Sequence, residues 1–166
     1  MSDAKEQDLE NTLYLDLKDG RVVINLRPDL APNHVERIKE LVREGFYDGV
    51  VFHRVIDGFM AQGGDPTGSG MGGSGKKLEE EFSRVAKHVR GTCSMARSQN
   101  PNSADSQFFI MFDESRSLDG QYTIWGEVTA GMDFVDNIKK GSSFSNGTVK
   151  DPDAIVRMQV AADVKE

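Results

Sequence analysis

The chain has a single cysteine, Cys93, so no internal disulfide can staple it. A thiol nucleophile needs a base beside it, and the run Gly91-Thr92-Cys93-Ser94-Met95 offers none. Cys93 therefore reads as a small buried apolar side chain. Basic residues are also short: 20 Lys plus Arg face 27 Asp plus Glu, a formal net charge of −7. That balance speaks against generic binding to nucleic acid or to an anionic membrane. No apolar run approaches the roughly 20 residues of a membrane span. Met1 to Asp8 is charged and lacks the apolar centre of a secretory leader. Together these shortages lead us to expect a cytoplasmic protein with no membrane partner.

What remains is ordinary globular material. The 166 residues fit one domain, and 37% hydrophobic residues can build a core. We expect a flexible polar segment over 1–11 and one domain over 12–166. Glycine is the excess: many of the 17 crowd between Gly58 and Gly75, where they predict a long shaped loop.

Leu13, Leu15 and Leu17 alternate with Tyr14 and Asp16, which reads as a half-buried strand; Val22 to Leu26 reads as a second, and Asp19-Gly20 between them signals a hairpin. Pro32 opens a helix whose apolar face is Val35, Ile38, Leu41 and Val42, and Gly45 is placed to end it. Strands are predicted over 50–56, 59–62, 92–96, 107–111, 122–128 and 155–164, with a short helix over 132–139 closed by Gly141. Many short strands and two separated helices suggest an antiparallel barrel with helices over its ends.

Several motifs fail on context. Gly68 to Gly73 has the spacing G-x-G-x-x-G, but Asp65-Pro66-Thr67 before it is turn-like and Gly73-Ser74-Gly75 is a poor helix start. Gly70 to Lys76 has phosphate-loop spacing, yet Lys77 stands where magnesium needs Ser or Thr. A nucleotide site is the weakest reading of that loop. His34, expected on a surface helix, His53, expected inside a strand with a local partner, and His88 show no metal-ligand spacing, and Glu79-Glu80-Glu81 reads as solvated surface.

One stretch carries chemistry. In a strand over 50–56, Phe52 and Arg54 would share a face. An arginine among aromatic residues is either a rim cation with its stem on apolar neighbours or a fixed cation lining a groove. Phe59, Met60 and Phe109 are either core or the walls of that groove. Gln62 and Gln107 are polar groups in apolar surroundings, costly to bury unless paired.

The fourteen contiguous residues from Phe52 to Asp65, Phe-His-Arg-Val-Ile-Asp-Gly-Phe-Met-Ala-Gln-Gly-Gly-Asp, resemble the signature of the cyclophilins. Ser106-Gln107-Phe108-Phe109-Ile110 resembles a second of their signatures, and Leu118-Asp119-Gly120 followed by Trp125-Gly126-Glu127-Val128 a third. Order and separation fit, and the likeness spans about Thr12 to Val164. The resemblance implies a mainly β fold, a closed antiparallel eight-stranded barrel capped by two α-helices. It also implies peptidyl-prolyl cis-trans isomerase (rotamase) activity that assists protein folding, with no cofactor and no metal.

By the same resemblance Arg54 is the main catalytic residue, with Phe59 and Gln62 beside it. Met60, Phe109, Leu118 and Tyr122 line the proline pocket. Gln62 and Gln107 hold the substrate backbone. The main chain of Ala96 and Arg97 binds the residue before proline, and the Arg97 side chain, where asparagine is usual, carries little weight. Two departures stand out: Tyr122 replaces the pocket histidine of eukaryotic members, and Ser117 stands where they carry a tryptophan that contacts cyclosporin. Weak cyclosporin binding and a bacterial type follow. The implied partners are proline-containing peptides and unfolded or folding proteins, met as a monomer. The same groove would also serve a proline-peptide binding module or a chaperone with little turnover.

Overall fold

The computed structural model describes residues 9–164. Most of the segment expected to be flexible therefore lies outside the described residues. Its described end is tied down: Glu10 pairs with Lys39 at 2.7 Å and Arg43 at 2.9 Å, and the Asn11 carbonyl accepts from the Leu26 N–H.

Strands β1 (Thr12–Leu17) and β2 (Gly20–Leu26) form the predicted hairpin, with Leu13, Leu15, Leu17, Val22, Ile24 and Leu26 inward. Gly20 already pairs with Leu17, so the turn is Lys18-Asp19, one residue earlier than the Asp-Gly signal. Helix α1 (Pro32–Arg43) buries Val35, Ile38, Leu41 and Val42 as its periodicity requires. Gly45, at φ +75°, turns the chain out.

His34 is not on the surface. It is fully buried, and both its backbone N–H and its Nδ1 meet Glu81, at 2.8 and 2.5 Å. Ala31, at the helix start, has no side chain to cap the first turn, so a carboxylate 47 residues away takes that place. Glu81 is thus withdrawn from the acidic surface run, while Glu79 and Glu80 stay exposed.

The remaining strands are β3 (Arg54–Ile56), β4 (Met60–Gly63), β5 (Thr92–Met95), β6 (Phe108–Met111), β7 (Ile124–Ala130) and β8 (Arg157–Val160), with a short helix α2 (Met132–Asp136) after β7. All pairings are antiparallel, in the order β3-β4-β6-β5-β7-β2-β1-β8.

The sheet curls into a half-barrel and stays open, against the expected closed barrel. Its edges β3 and β8 do not pair with each other, and the chain between 141 and 155 lies across the gap. That segment makes single bonds, such as Phe52 N–H to the Asp153 carbonyl and Val149 N–H to the His53 carbonyl, both within 3.0 Å. It cannot run as a strand, because Pro152 has no N–H and Asp151 sits at φ +53°. The predicted strand over 50–56 is cut to three residues for want of a regular partner. At the C-terminus β8 ends at Val160 in a turn of 3-10 helix, Ala161–Asp163. Helix α2 stops at Asp136 rather than 139, and Gly141 serves β3 instead of closing it.

Shortening β3 also overturns the expected pairing of faces. Phe52 and Val55 are both fully buried in the main core, with Phe108, Trp125 and the α1 face, while Arg54 turns outward. A second, smaller apolar cluster lies on the outer face of the sheet, built on Met60, Phe109 and Met111. Strict alternation produces it: in β6, Phe108 and Ile110 join the main core while Phe109 and Met111 join the outer cluster.

Candidate active site

The outer cluster is the floor of a cavity of about 160 Å³ lined by Arg54, Phe59, Met60, Gln62, Ala96, Arg97, Phe109, Leu118 and Tyr122. Nine of the ten expected site residues line it, and Gln107 lies one step behind. Ladder register brings them together: Arg54 faces Gln62 across β3 and β4, and Gln62 faces Phe109 across β4 and β6. Leu118 ends a 3-10 turn (Arg116–Leu118), and Tyr122 precedes β7, left out of the ladder. The Tyr122 ring stands edge-on to Phe109 at 5.6 Å between centroids.

Arg54 is held by neutral groups alone. Its Nε donates to the Asn146 carbonyl at 2.9 Å, Nη2 to Asn146 Oδ1 at 3.2 Å, and Nη1 to Gln62 Oε1 at 3.2 Å. Among the described residues no carboxylate pairs with it. Three of the five guanidinium N–H donors are engaged, which leaves two for a ligand.

Gln62 in turn donates Nε2 to Gln107 Oε1 at 3.0 Å, keeping one N–H. Gln107 spends both of its own on the carbonyls of Gly70, at 2.9 Å, and Gly72, at 3.0 Å. Its side-chain amide therefore has no donor left for a substrate. Ala96 likewise gives its N–H to the Gln107 carbonyl at 3.0 Å, so its own carbonyl is what a peptide main chain would meet.

The glycine loop has an internal ligand. The Asp65 carboxylate, fully buried, accepts from the N–H groups of Thr67 at 2.8 Å, Gly70 at 2.7 Å and Gly72 at 3.0 Å, and from the Thr67 hydroxyl. Burial alone would raise its pKa, but these donors outweigh it and hold the carboxyl well below the usual range. A Cβ on Gly72 would lie 2.2 Å from Asp65 Oδ1, which is why glycine stands there. The loop that imitated a phosphate cradle wraps a carboxylate of its own chain.

Behind Phe109 lies a buried polar strut. His88 Nδ1 is 3.0 Å from Asp119, its Nε2 is 3.0 Å from the Ser94 hydroxyl, and that hydroxyl is 3.0 Å from the Thr123 carbonyl. Burial lowers the His88 pKa against the opposing pull of the Asp119 carboxylate. The order Asp-His-Ser looks like a nucleophilic triad, but Ser94 is fully buried and no substrate carbonyl can reach it. The strut backs the pocket: His88 stacks on Phe109 with ring centroids 6.0 Å apart.

The remaining expectations diverge in part. His53 precedes β3 rather than lying in it, and its Nδ1 has no partner among the described residues. The Arg97 side chain matters more than expected. It bonds the Gln121 carbonyl at 2.9 Å and lies 4.8 Å from the centre of the Tyr122 ring, making it part of the pocket wall. Cys93 is fully buried, and burial pushes its thiol pKa up, away from reactivity. Among the described residues no cluster of three or more His, Cys, Asp or Glu is placed to hold a metal, and no helix is long and apolar enough to cross a membrane. Sequence reasoning missed Asn146. The Asn-Gly pair at 146–147 was a turn signal, but nothing local tied that turn to Arg54.

Residues 12–160 match the family model described as cyclophilin type peptidyl-prolyl cis-trans isomerase/CLD. A probable peptidyl-prolyl cis-trans isomerase of Brucella suis is 57% identical over 174 residues, covering 98% of this chain and 88% of that protein. Peptidyl-prolyl cis-trans isomerase B of Bacillus subtilis is 41% identical over 132 residues, covering 78% of this chain and 92% of its own length. Among solved structures, a cyclophilin from Hirschia baltica matches with a TM-score of 0.83 and 30% identity over 95% of this chain and 76% of that one. A cyclophilin-type isomerase of Cryptosporidium parvum, crystallised in the presence of the dipeptide Ala-Pro, matches with a TM-score of 0.81 and 30% identity over 90% of this chain and 98% of that one.

Proposed function

The chain belongs to the cyclophilin-type peptidyl-prolyl cis-trans isomerases, and we propose that it turns Xaa-Pro bonds over with Arg54 as the catalytic donor. Rotation about an amide passes a barrier of about 18–20 kcal/mol because resonance is lost midway. At Xaa-Pro the two planar forms differ by only about 0.5–1 kcal/mol, yet exchange takes tens to hundreds of seconds. No bond is made or cut, so the catalyst needs only to bind the twisted imide better than either planar form.

In the twisted imide the prolyl nitrogen becomes pyramidal and regains its lone pair. A fixed N–H donor gains energy there that it lacks in the ground state. The observation that carries the reading is the pair of unengaged Arg54 N–H donors beside a cavity walled by Phe59, Met60, Phe109, Leu118 and Tyr122, on a guanidinium whose charge no carboxylate among the described residues offsets. Phe59, Met60, Phe109, Leu118 and Tyr122 grip the proline ring, while the Ala96 carbonyl and the remaining Gln62 N–H hold the main chain around it. The Arg97 side chain braces Tyr122.

Folding proteins with proline-containing segments are the substrates we infer, met by a cytoplasmic monomer; an acidic net charge and a lone buried cysteine support that setting. Cyclosporin binds weakly on this reading, because Ser117 is a small exposed residue beside Leu118. The test is to measure binding and exchange on one short Xaa-Pro peptide by NMR. Binding accompanied by catalysed exchange supports an enzyme. Binding at the uncatalysed exchange rate would make the chain a proline-peptide binding module instead.

A further inference from the structure

The loop over 141–147 is built against Arg54 with little tolerance. Val55 donates its N–H to the Gly147 carbonyl at 2.8 Å and accepts the Gly141 N–H at 2.8 Å, so the loop pairs with the outer edge of β3 on both sides of one residue. Neither glycine has room for a side chain. A Cβ on Gly141 would lie 2.1 Å from the Gly147 carbonyl oxygen, and one on Gly147, at φ +82°, would lie 2.5 Å from Ile56. Between these anchors Asn146 adopts φ +56°, a left-handed conformation that asparagine tolerates better than most residues. It is delivered to Arg54 with two acceptors aimed at one guanidinium, its backbone carbonyl on Nε and its side-chain carbonyl on Nη2.

Building on the assignment of Arg54 as catalytic donor, we propose that Asn146 is a positioning residue for this reaction. It clamps one edge of the guanidinium plane while Gln62 takes Nη1, which fixes where the two unengaged N–H donors point. An amide suits the task and a carboxylate does not. The amide oxygen accepts the hydrogen bond and leaves the full positive charge available to the twisted imide. A carboxylate at the same distance would offset that charge and favour the resting enzyme. The residue contributes no contact to the proline pocket, so its loss falls on turnover and not on binding.

The test is steady-state and NMR exchange kinetics on one Xaa-Pro peptide with Asn146→Gly, Asn146→Asp, Phe144→Ala and Arg54→Ala. Glycine keeps the left-handed backbone and the main-chain acceptor. We expect kcat for Asn146→Gly to fall about tenfold with KM within twofold, and Asn146→Asp to fall further at neutral pH although it keeps an acceptor. The Arg54 Nη2–H signal, which loses its side-chain partner, should exchange faster with water in Asn146→Gly, while Nε–H keeps its main-chain acceptor. Phe144, fully exposed on the same loop, should leave kcat unchanged when cut to alanine. Parental kcat in both Asn146 variants, a change confined to KM, or an equal loss in Phe144→Ala would overturn the proposal. If Asn146→Asp does not fold, Asn146→Gly and the Nη2–H signal decide alone. Arg54→Ala separates the two claims: lost turnover there with intact turnover in Asn146→Gly refutes the positioning role only, whereas retained turnover in Arg54→Ala refutes the donor assignment itself.

Discussion

Arg54 and Gln62 stand directly opposite each other on β3 and β4, and Nη1 of the first donates to Oε1 of the second at 3.2 Å. The bond orients the Gln62 amide, whose Nε2 goes to Gln107, whose own Nε2 goes to the glycine loop. Three polar elements in series therefore set the attitude of one cation. Because both N–H groups of Gln107 are spent inside the chain, Gln107→Ala should lower kcat about three- to tenfold, the loss of one hydrogen bond, with KM nearly unchanged. A rise in KM at constant kcat would return Gln107 to a substrate-holding role.

The far end of that series is acid-sensitive. The folded state holds the Asp65 carboxyl below its unfolded value, so folding releases a proton wherever the unfolded chain still binds one. Its contribution is complete above the unfolded pKa near 3.9 and is lost as pH falls through and below that value. Urea unfolding of the parent should thus weaken steeply below about pH 4. Asp65→Asn should be destabilised at pH 7 by about 1–3 kcal/mol, with a flatter acid limb. An acid limb of unchanged steepness would show that other carboxylates carry it.

Two glycines with similar backbones should respond differently to alanine. Gly58, at φ +73°, has open space where a Cβ would sit, while at Gly64, φ +94°, the Cβ would be 2.5 Å from the Ser106 carbonyl oxygen. Gly58→Ala should cost about 1 kcal/mol of backbone strain. Gly64→Ala should cost at least twice that and disturb the Ser106 hydroxyl bond to the Gly64 carbonyl. Equal unfolding free energies would mean that β4 and the 106–107 turn move apart freely.

Much of this was legible before any coordinates. Alternation in β1 and the period of α1 follow from where apolar residues fall, whereas β6 is apolar at every position and its split between two clusters shows only in the fold; the residues that line the pocket lie in runs that the resemblance to the cyclophilins pointed to. What was hidden involves partners far apart in the chain. His34 is buried because Glu81, 47 residues on, needs a donor and α1 needs a cap. The sheet stays open because an irregular segment with Pro152 fills the gap beside β3, and no period in the sequence marks a strand that fails to form. Asn146 was invisible for the same reason, being joined to Arg54 across 92 positions.

The proposed weak binding of cyclosporin rests on Ser117. That residue is exposed and immediately precedes Leu118, which lines the pocket. Ser117→Trp should tighten cyclosporin binding at least tenfold, about 1.4 kcal/mol, while leaving kcat on a short Xaa-Pro peptide within about twofold. Calorimetry on parent and variant checks both halves. Tight binding by the parent would mean that the wall does not need the indole.

The most direct measurement is NMR exchange on a short Xaa-Pro peptide with the parent and Arg54→Ala, after matching their unfolding midpoints. A rate in Arg54→Ala at least a hundredfold lower, about 2.7 kcal/mol of lost transition-state binding, is the predicted result, with Arg54→Lys recovering little because a point charge lacks the rigid fork. A well-folded Arg54→Ala that exchanges the peptide as fast as the parent would contradict the account.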